Sequence, residues 1–145
     1  MNKDFIPIWL KSGILRKKQV DFDKFNSLIN SAECTMKVVR SIKLSEESAT
    51  LIFRETYESI RQLGEAKWDS LGYEPTNHEI SLDILKELDI SEKIKLNSLD
   101  RFKRIRHDIN YRGFKASLVH ANEILAFWNS CGEEILKNLK RKIEK

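Results

Sequence analysis

The sequence predicts an all-α protein, an antiparallel up-and-down bundle of four long helices plus one short helix, in a single domain over residues 1–145. Three observations lead there. Gly (5) and Pro (2) are scarce among 145 positions, so the chain has few turns and few helix breakers. Long segments carry apolar residues spaced alternately by three and four, the interval that lines one face of a helix. Hydrophobic residues make up 41% and charged residues 33%, which suits one core beneath a charged surface.

Residues 1–20 read as a strap or short helix packed on the bundle, because Pro7 and Gly13 interrupt a segment with apolar side chains on several sides. The first long helix is expected over 22–42, with Phe25, Ile29, Ala32, Met36 and Val39 as its seam. Cys34 lies off that seam and reads as a passive small residue. Ser45 is placed to cap the next helix, with Glu46 and Glu47 complementing its dipole. That helix runs to about Leu71 on an inner face of Ala49, Phe53, Tyr57, Ile60, Gly64, Trp68 and Leu71. Gly64 on this face allows a close approach, at about 1 kcal/mol of lost helix propensity.

Gly72-Tyr73-Glu74-Pro75 ends the helix, and Thr76-Asn77-His78-Glu79 reads as a capping box for a short helix to Leu88, burying Ile80 and Ile84. His78 then has a local structural or solvent-facing role. Asp89-Ile90-Ser91 is a turn, and a loose helical stretch leads to Asn97-Ser98, placed to cap the helix that follows. Gly113 ends that helix in a left-handed conformation. The last helix is expected over 117–142, with Leu118, Ala121, Leu125, Trp128, Gly132, Ile135 and Leu139 in strict alternation. Its basic tail (Lys137, Lys140, Arg141, Lys142, Lys145) suits a helix C-terminus. His120 lies off the seam with no carboxylate at ligand spacing, so no zinc site and no other metal or cofactor is expected.

No apolar run approaches the ~18 residues of a membrane span, and the short apolar stretch at 5–10 has no signal-sequence pattern after it. Cys34 and Cys131 lack CxxC spacing, so a disulfide-free cytoplasmic protein is expected. Charge is unevenly spread. Residues 46–92 hold twelve acids and four bases, net −8, leaving +12 for the rest of a chain whose total is +4. Either acidic and basic helices of one bundle attract each other, or the basic part meets an anionic partner such as RNA or a nucleotide.

The basic part centres on residues 98–114. Leu99, Phe102, Ile105 and Ile109 form an apolar stripe at ~100° per residue, and Arg106 falls inside it. A guanidinium on a buried face is costly unless a carboxylate on a neighbouring helix pairs with it, or it sits at a wet seam between chains. Arg104, His107, Asp108 and Tyr111 face the other way. Arginine forks onto phosphate oxygens and histidine moves protons near neutrality, the two functions that metal-free RNA cleavage needs. Arg104 and His107, three apart, meet on one face. Arg101 and His107 diverge by ~120° and ~9 Å along the axis, so they converge on one phosphate only with groups from a second chain at a two-fold seam.

An arginine, a polar neighbour and a histidine late in an all-helical chain of this size resemble the HEPN superfamily. Its members are helical, commonly dimeric, and include metal-independent endoribonucleases, among them toxins paired with small nucleotidyltransferase antitoxins. Two alignments fit. In Arg101-Phe-Lys-Arg-Ile-Arg-His107 the spacing to histidine holds, with Phe102 at the polar position. In Arg106-His107-Asp108-Ile109-Asn110-Tyr111 the polar residue is present, and Tyr111 stands where the family has histidine. A phenol near pKa ~10 is a poor base at neutral pH, so this alignment implies a degenerate site. The resemblance implies Arg106, His107 and Tyr111 at the reacting centre, Arg101, Arg104, Asn110 and Arg112 on phosphate or RNA, and Asp108 orienting them. It also implies a homodimer that cleaves RNA, or an inactive module that binds RNA, a nucleotide or a protein.

Overall fold

The computed structural model describes residues 5–78 and 80–143, with side chains as far as Arg141. The chain begins with helix α1 (Phe5–Ser12). Pro7 is tolerated because it lies in the first turn, where a backbone N–H has no intrahelical acceptor. Gly13, at φ 81°, then turns the chain into strand β1 (Leu15–Lys17). This strand pairs antiparallel with the stretch after the second long helix, β2 (Tyr73–Pro75), setting Leu15 opposite Pro75, Arg16 opposite Glu74 and Lys17 opposite Tyr73. Three-residue strands carry too little alternation to be read from sequence. The ribbon is fixed by partners far apart in the chain. Arg16 pairs with Glu74 at 3.1 Å, and the Thr76 hydroxyl donates to the carbonyls of Gly13 (2.8 Å) and Ile14 (2.9 Å).

The two long helices expected next are both present. In α2 (Phe22–Ser41) the whole seam of Phe25, Ile29, Ala32, Met36 and Val39 is buried. In α3 (Glu46–Ser70) the Ser45 hydroxyl accepts from the Ser48 amide, and Ser48 accepts from the Ser45 amide in return. The four residues between α2 and α3 bring them side by side as a helical hairpin. The expected inner face of α3 is too narrow, for Ile52, Thr56, Ser59, Leu63 and Ala66 are fully buried too. Helices on several sides and the ribbon pack around α3, making it the centre of the molecule.

Beyond β2 the structure departs from the expected short helix. Thr76 is spent on the ribbon, and Glu79, the other half of the capping box, lies outside the described residues. The chain crosses α3 in turns, then forms 3₁₀ turns at Asp83–Glu87 and Lys93–Ser98. Two contacts hold the crossing. Trp68 Nε1 donates to the Ile80 carbonyl at 3.1 Å, and Gly64 leaves room for the Ser81 backbone. Helix α4 (Leu99–Arg112) grows directly out of the second 3₁₀ turn. Ser98 is itself helical and makes no side-chain cap, because the preceding turn already supplies acceptors such as the Leu96 carbonyl. Gly113 ends α4 at φ 66°, as expected.

The last helix is not one regular rod. It runs as α5 (Leu118–Phe127), a π-turn at Trp128–Gly132 and α6 (Glu133–Ile143). The extra residue per turn shifts the buried face. Ala121, Ile124 and Phe127 are buried before it, Trp128, Cys131 and Gly132 within it, and Ile135, Leu136 and Leu139 after it, whereas Leu118 is exposed and Leu125 half-buried. Trp128 packs so closely over Gly132 that a Cβ there would lie 2.6 Å from its ring. The all-α class therefore holds, while the helices do not divide cleanly into four long and one short. Of the basic tail, the side chains of Lys142 and Lys145 lie outside the described residues. No helix among the described residues is long and apolar enough to cross a membrane.

Candidate functional site

Leu99, Phe102, Ile105 and Ile109 put one stripe of α4 into the core, against Phe53 of α3 and Phe127 of α5. Arg106 is half-buried beside that stripe. Its guanidinium carbon lies 5.5 Å from the centroid of the Tyr57 ring of α3, a cation–π contact that accommodates the charge within one chain. No carboxylate forms an ion pair with it among the described residues.

Arg106 and Tyr57 stand at the wall of a cleft of about 650 Å³. One side is α4, contributing Lys103, Arg104, His107, Asp108 and Tyr111; the other is Tyr57 and the crossing segment, with His78, Ile80 and Asp83. Lys86 ties the two sides together by reaching Asp83 at 3.4 Å and Asp100 at 2.6 Å. Its ammonium holds the Asp100 carboxyl below the usual carboxylate range. Lys103 pairs with Asp83 at 3.2 Å, and Asp108 faces Arg112 at 3.8 Å. Arg104 and Arg106 are cations without an ion pair among the described residues, in a cleft also lined by Lys103, Asp83 and Asp108.

The residues singled out in the sequence do not all meet here. Arg104, Arg106, His107, Asp108 and Tyr111 line the cleft. The rings of His107 and Tyr111 lie 4.8 Å apart, tilted by 42°. Arg101 does not line the cleft and pairs instead with Glu123 of α5, in keeping with its divergence from His107. Asn110 and Arg112 are exposed and do not line the cleft. The expectation that Arg106 opposes His107 across the helix is corrected: the cleft runs along the edge of the buried stripe and takes both. Sequence reading missed Tyr57, assigned to the core, as well as His78, Asp83 and Lys103 in the cleft. It also missed Arg61, gripped by Glu58 and Glu65, although the i−3 and i+4 spacing of those acids was a readable signal.

Burial pushes the Tyr57 hydroxyl up to about 12, against the pull of Arg106 and Arg61. The folded value lies above the ordinary ~10, so the folded state holds its proton more tightly and stability falls as pH rises from ~10 through ~12. The loss reaches about 2–3 kcal/mol. Tyr57→Phe removes this part of the alkaline sensitivity, which urea unfolding at a series of alkaline pH values will show as a flatter dependence. An unchanged slope means that Tyr57 is not held neutral by burial.

Among the described residues, no group of three or more His, Cys, Asp or Glu is arranged to hold a metal ion. Compared with family models, curated proteins and solved structures, the chain matches none.

Proposed function

We propose that the α4 cleft binds the phosphate groups of RNA or a nucleotide, and that the protein is a HEPN-like, dimeric, metal-independent endoribonuclease. One observation carries this reading: Arg106, on the edge of a buried stripe, faces a cleft with the Tyr57 ring beside it and makes no ion pair among the described residues. An ion pair built for stability alone would place an acid there. Arg104 adds a second cation and His107 a group able to move a proton at the 2′-hydroxyl or the leaving oxygen. On this reading the helices form an up-and-down bundle of the HEPN kind, and a two-fold axis beside α4 brings two clefts together. A small nucleotidyltransferase-type antitoxin is the corresponding partner, in the cytoplasm.

Tyr111, where the family has histidine, favours a second reading, an inactive module that binds RNA or a nucleotide in the same cleft. Cleavage of single-stranded RNA in EDTA separates the two. The enzyme cleaves, and His107→Ala slows it by about 10²–10⁴-fold while binding stays within a few-fold. The module binds without cleaving. Absence of both binding and cleavage, or equal behaviour of Arg106→Ala and wild type, rejects the site. Light scattering at micromolar concentration tests the dimer.

A further inference from the structure

Arg61 is one of the few buried charged residues among those described, 8% exposed, and it reaches His78 in the cleft lining. Its Nε donates to Glu58 at 3.0 Å and its Nη1 to Glu65 at 2.8 Å. Nη1 also meets Nδ1 of His78 at 3.1 Å. A guanidinium has donors only, so at this contact the histidine nitrogen must accept. A neutral imidazole has one donor and one acceptor nitrogen. With Nδ1 accepting from Arg61, the proton sits on Nε2, and the second nitrogen is a donor.

His78 itself is exposed and lines the cleft with Arg106 and His107. We infer that His78 is a second anion ligand of the cleft, its Nε2–H donating to an oxygen of the phosphate that Arg106 holds, with Arg61 fixing the tautomer. This rests on the cleft being a phosphate site. The opposite tautomer would offer the anion a lone pair and repel it. Glu58 and Glu65 hold Arg61 in place, so the tautomer is set from inside the fold rather than by the ligand.

The arrangement also divides the two histidines by role. Neutral His78, with Nδ1 occupied and Nε2 protonated, has no free lone pair with which to remove a proton. His107 makes no hydrogen bond among the described residues, so either of its nitrogens is available to take or give one. His78 is therefore a binding residue and His107 the proton carrier, both serving a phosphodiester or phosphomonoester ligand.

The test uses the full chain, a fluorescent 2′-O-methyl RNA oligomer that cannot be cleaved, and anisotropy at neutral pH and low salt. His78→Ala is expected to bind about 10- to 100-fold more weakly, the range for one hydrogen bond to a charged group. His78→Gln is expected within about threefold of wild type, because its amide N–H replaces Nε2–H while its carbonyl accepts from Arg61. Nitrogen NMR of the imidazole in the free protein should show the proton on Nε2 of His78. Wild-type binding by His78→Ala, an equal loss in His78→Gln, or a proton on Nδ1 overturns the inference. Arg106→Ala keeps the two questions apart. If it binds like wild type, the phosphate site itself is wrong; if it loses binding while His78→Ala does not, only the role of His78 falls.

Discussion

Gly64→Ala lowers the unfolding free energy by about 2–3 kcal/mol, at the upper end for an overpacked core position. Helix propensity alone would favour alanine by about 1 kcal/mol, so the expected sign is set by packing. A Cβ at residue 64 would stand 2.1 Å from the Ser81 carbonyl oxygen and 2.9 Å from its carbon, both backbone atoms. A flexible side chain could swing aside; this segment cannot. The Trp68 indole holds the Ile80 carbonyl on one side, and Leu82 is fully buried on the other. The crossing segment must lift from α3, and it carries Ile80 and His78, which form one wall of the cleft. On the proposed reading of the cleft, Gly64→Ala should also weaken RNA binding without touching a cleft residue. Urea unfolding at constant slope measures the first effect. A variant as stable as wild type would mean that the close approach has no energetic weight.

Arg106→Leu is expected to do the opposite to stability while removing the RNA binding proposed for the cleft. Leucine completes the stripe of Leu99, Phe102, Ile105 and Ile109 and needs no hydration where the guanidinium loses part of its own. The Tyr57 face returns only about 1 kcal/mol to the arginine. A gain of about 0.5–1 kcal/mol, or roughly 2–4 °C in Tm, follows for a domain of this size. Affinity for the RNA oligomer should fall by more than about 30-fold, because a forked pair of charge-assisted hydrogen bonds is lost. The slope of log affinity against log salt should shrink by about 0.7 for the lost phosphate contact. A stabilised protein that no longer binds is the signature of a residue kept for its ligand. A destabilised protein with unchanged binding would make Arg106 a structural residue.

The helices were legible where neighbours in sequence fix them. The seam of α2, the Ser45 cap and the Gly113 stop each depend on residues within a turn or two of one another. Arg106 was legible on α4 for the same reason, since a charged residue in an apolar stripe is a local anomaly, but the cleft that takes both it and His107 was not. The π-turn was not, because apolar residues at alternating three and four spacing look alike with or without one extra residue. Tyr57 was read as core, and it is buried; its second role as the surface beneath Arg106 is visible only once α4 lies against α3.

The sequence by itself determined an all-α chain with a cationic helix whose Arg106 does not fit its own apolar face. Only the tertiary structure decided what that arginine meets: the Tyr57 ring and a crossing segment held on α3 by Gly64 and Trp68. It also decided that Arg61 reaches His78 and that Arg101 leaves for Glu123. Helical periodicity records which face of a segment avoids water, an interaction repeated every few residues. Pairings between single residues 17 or 22 positions apart leave no such repeat, and folding alone brings them within bonding distance.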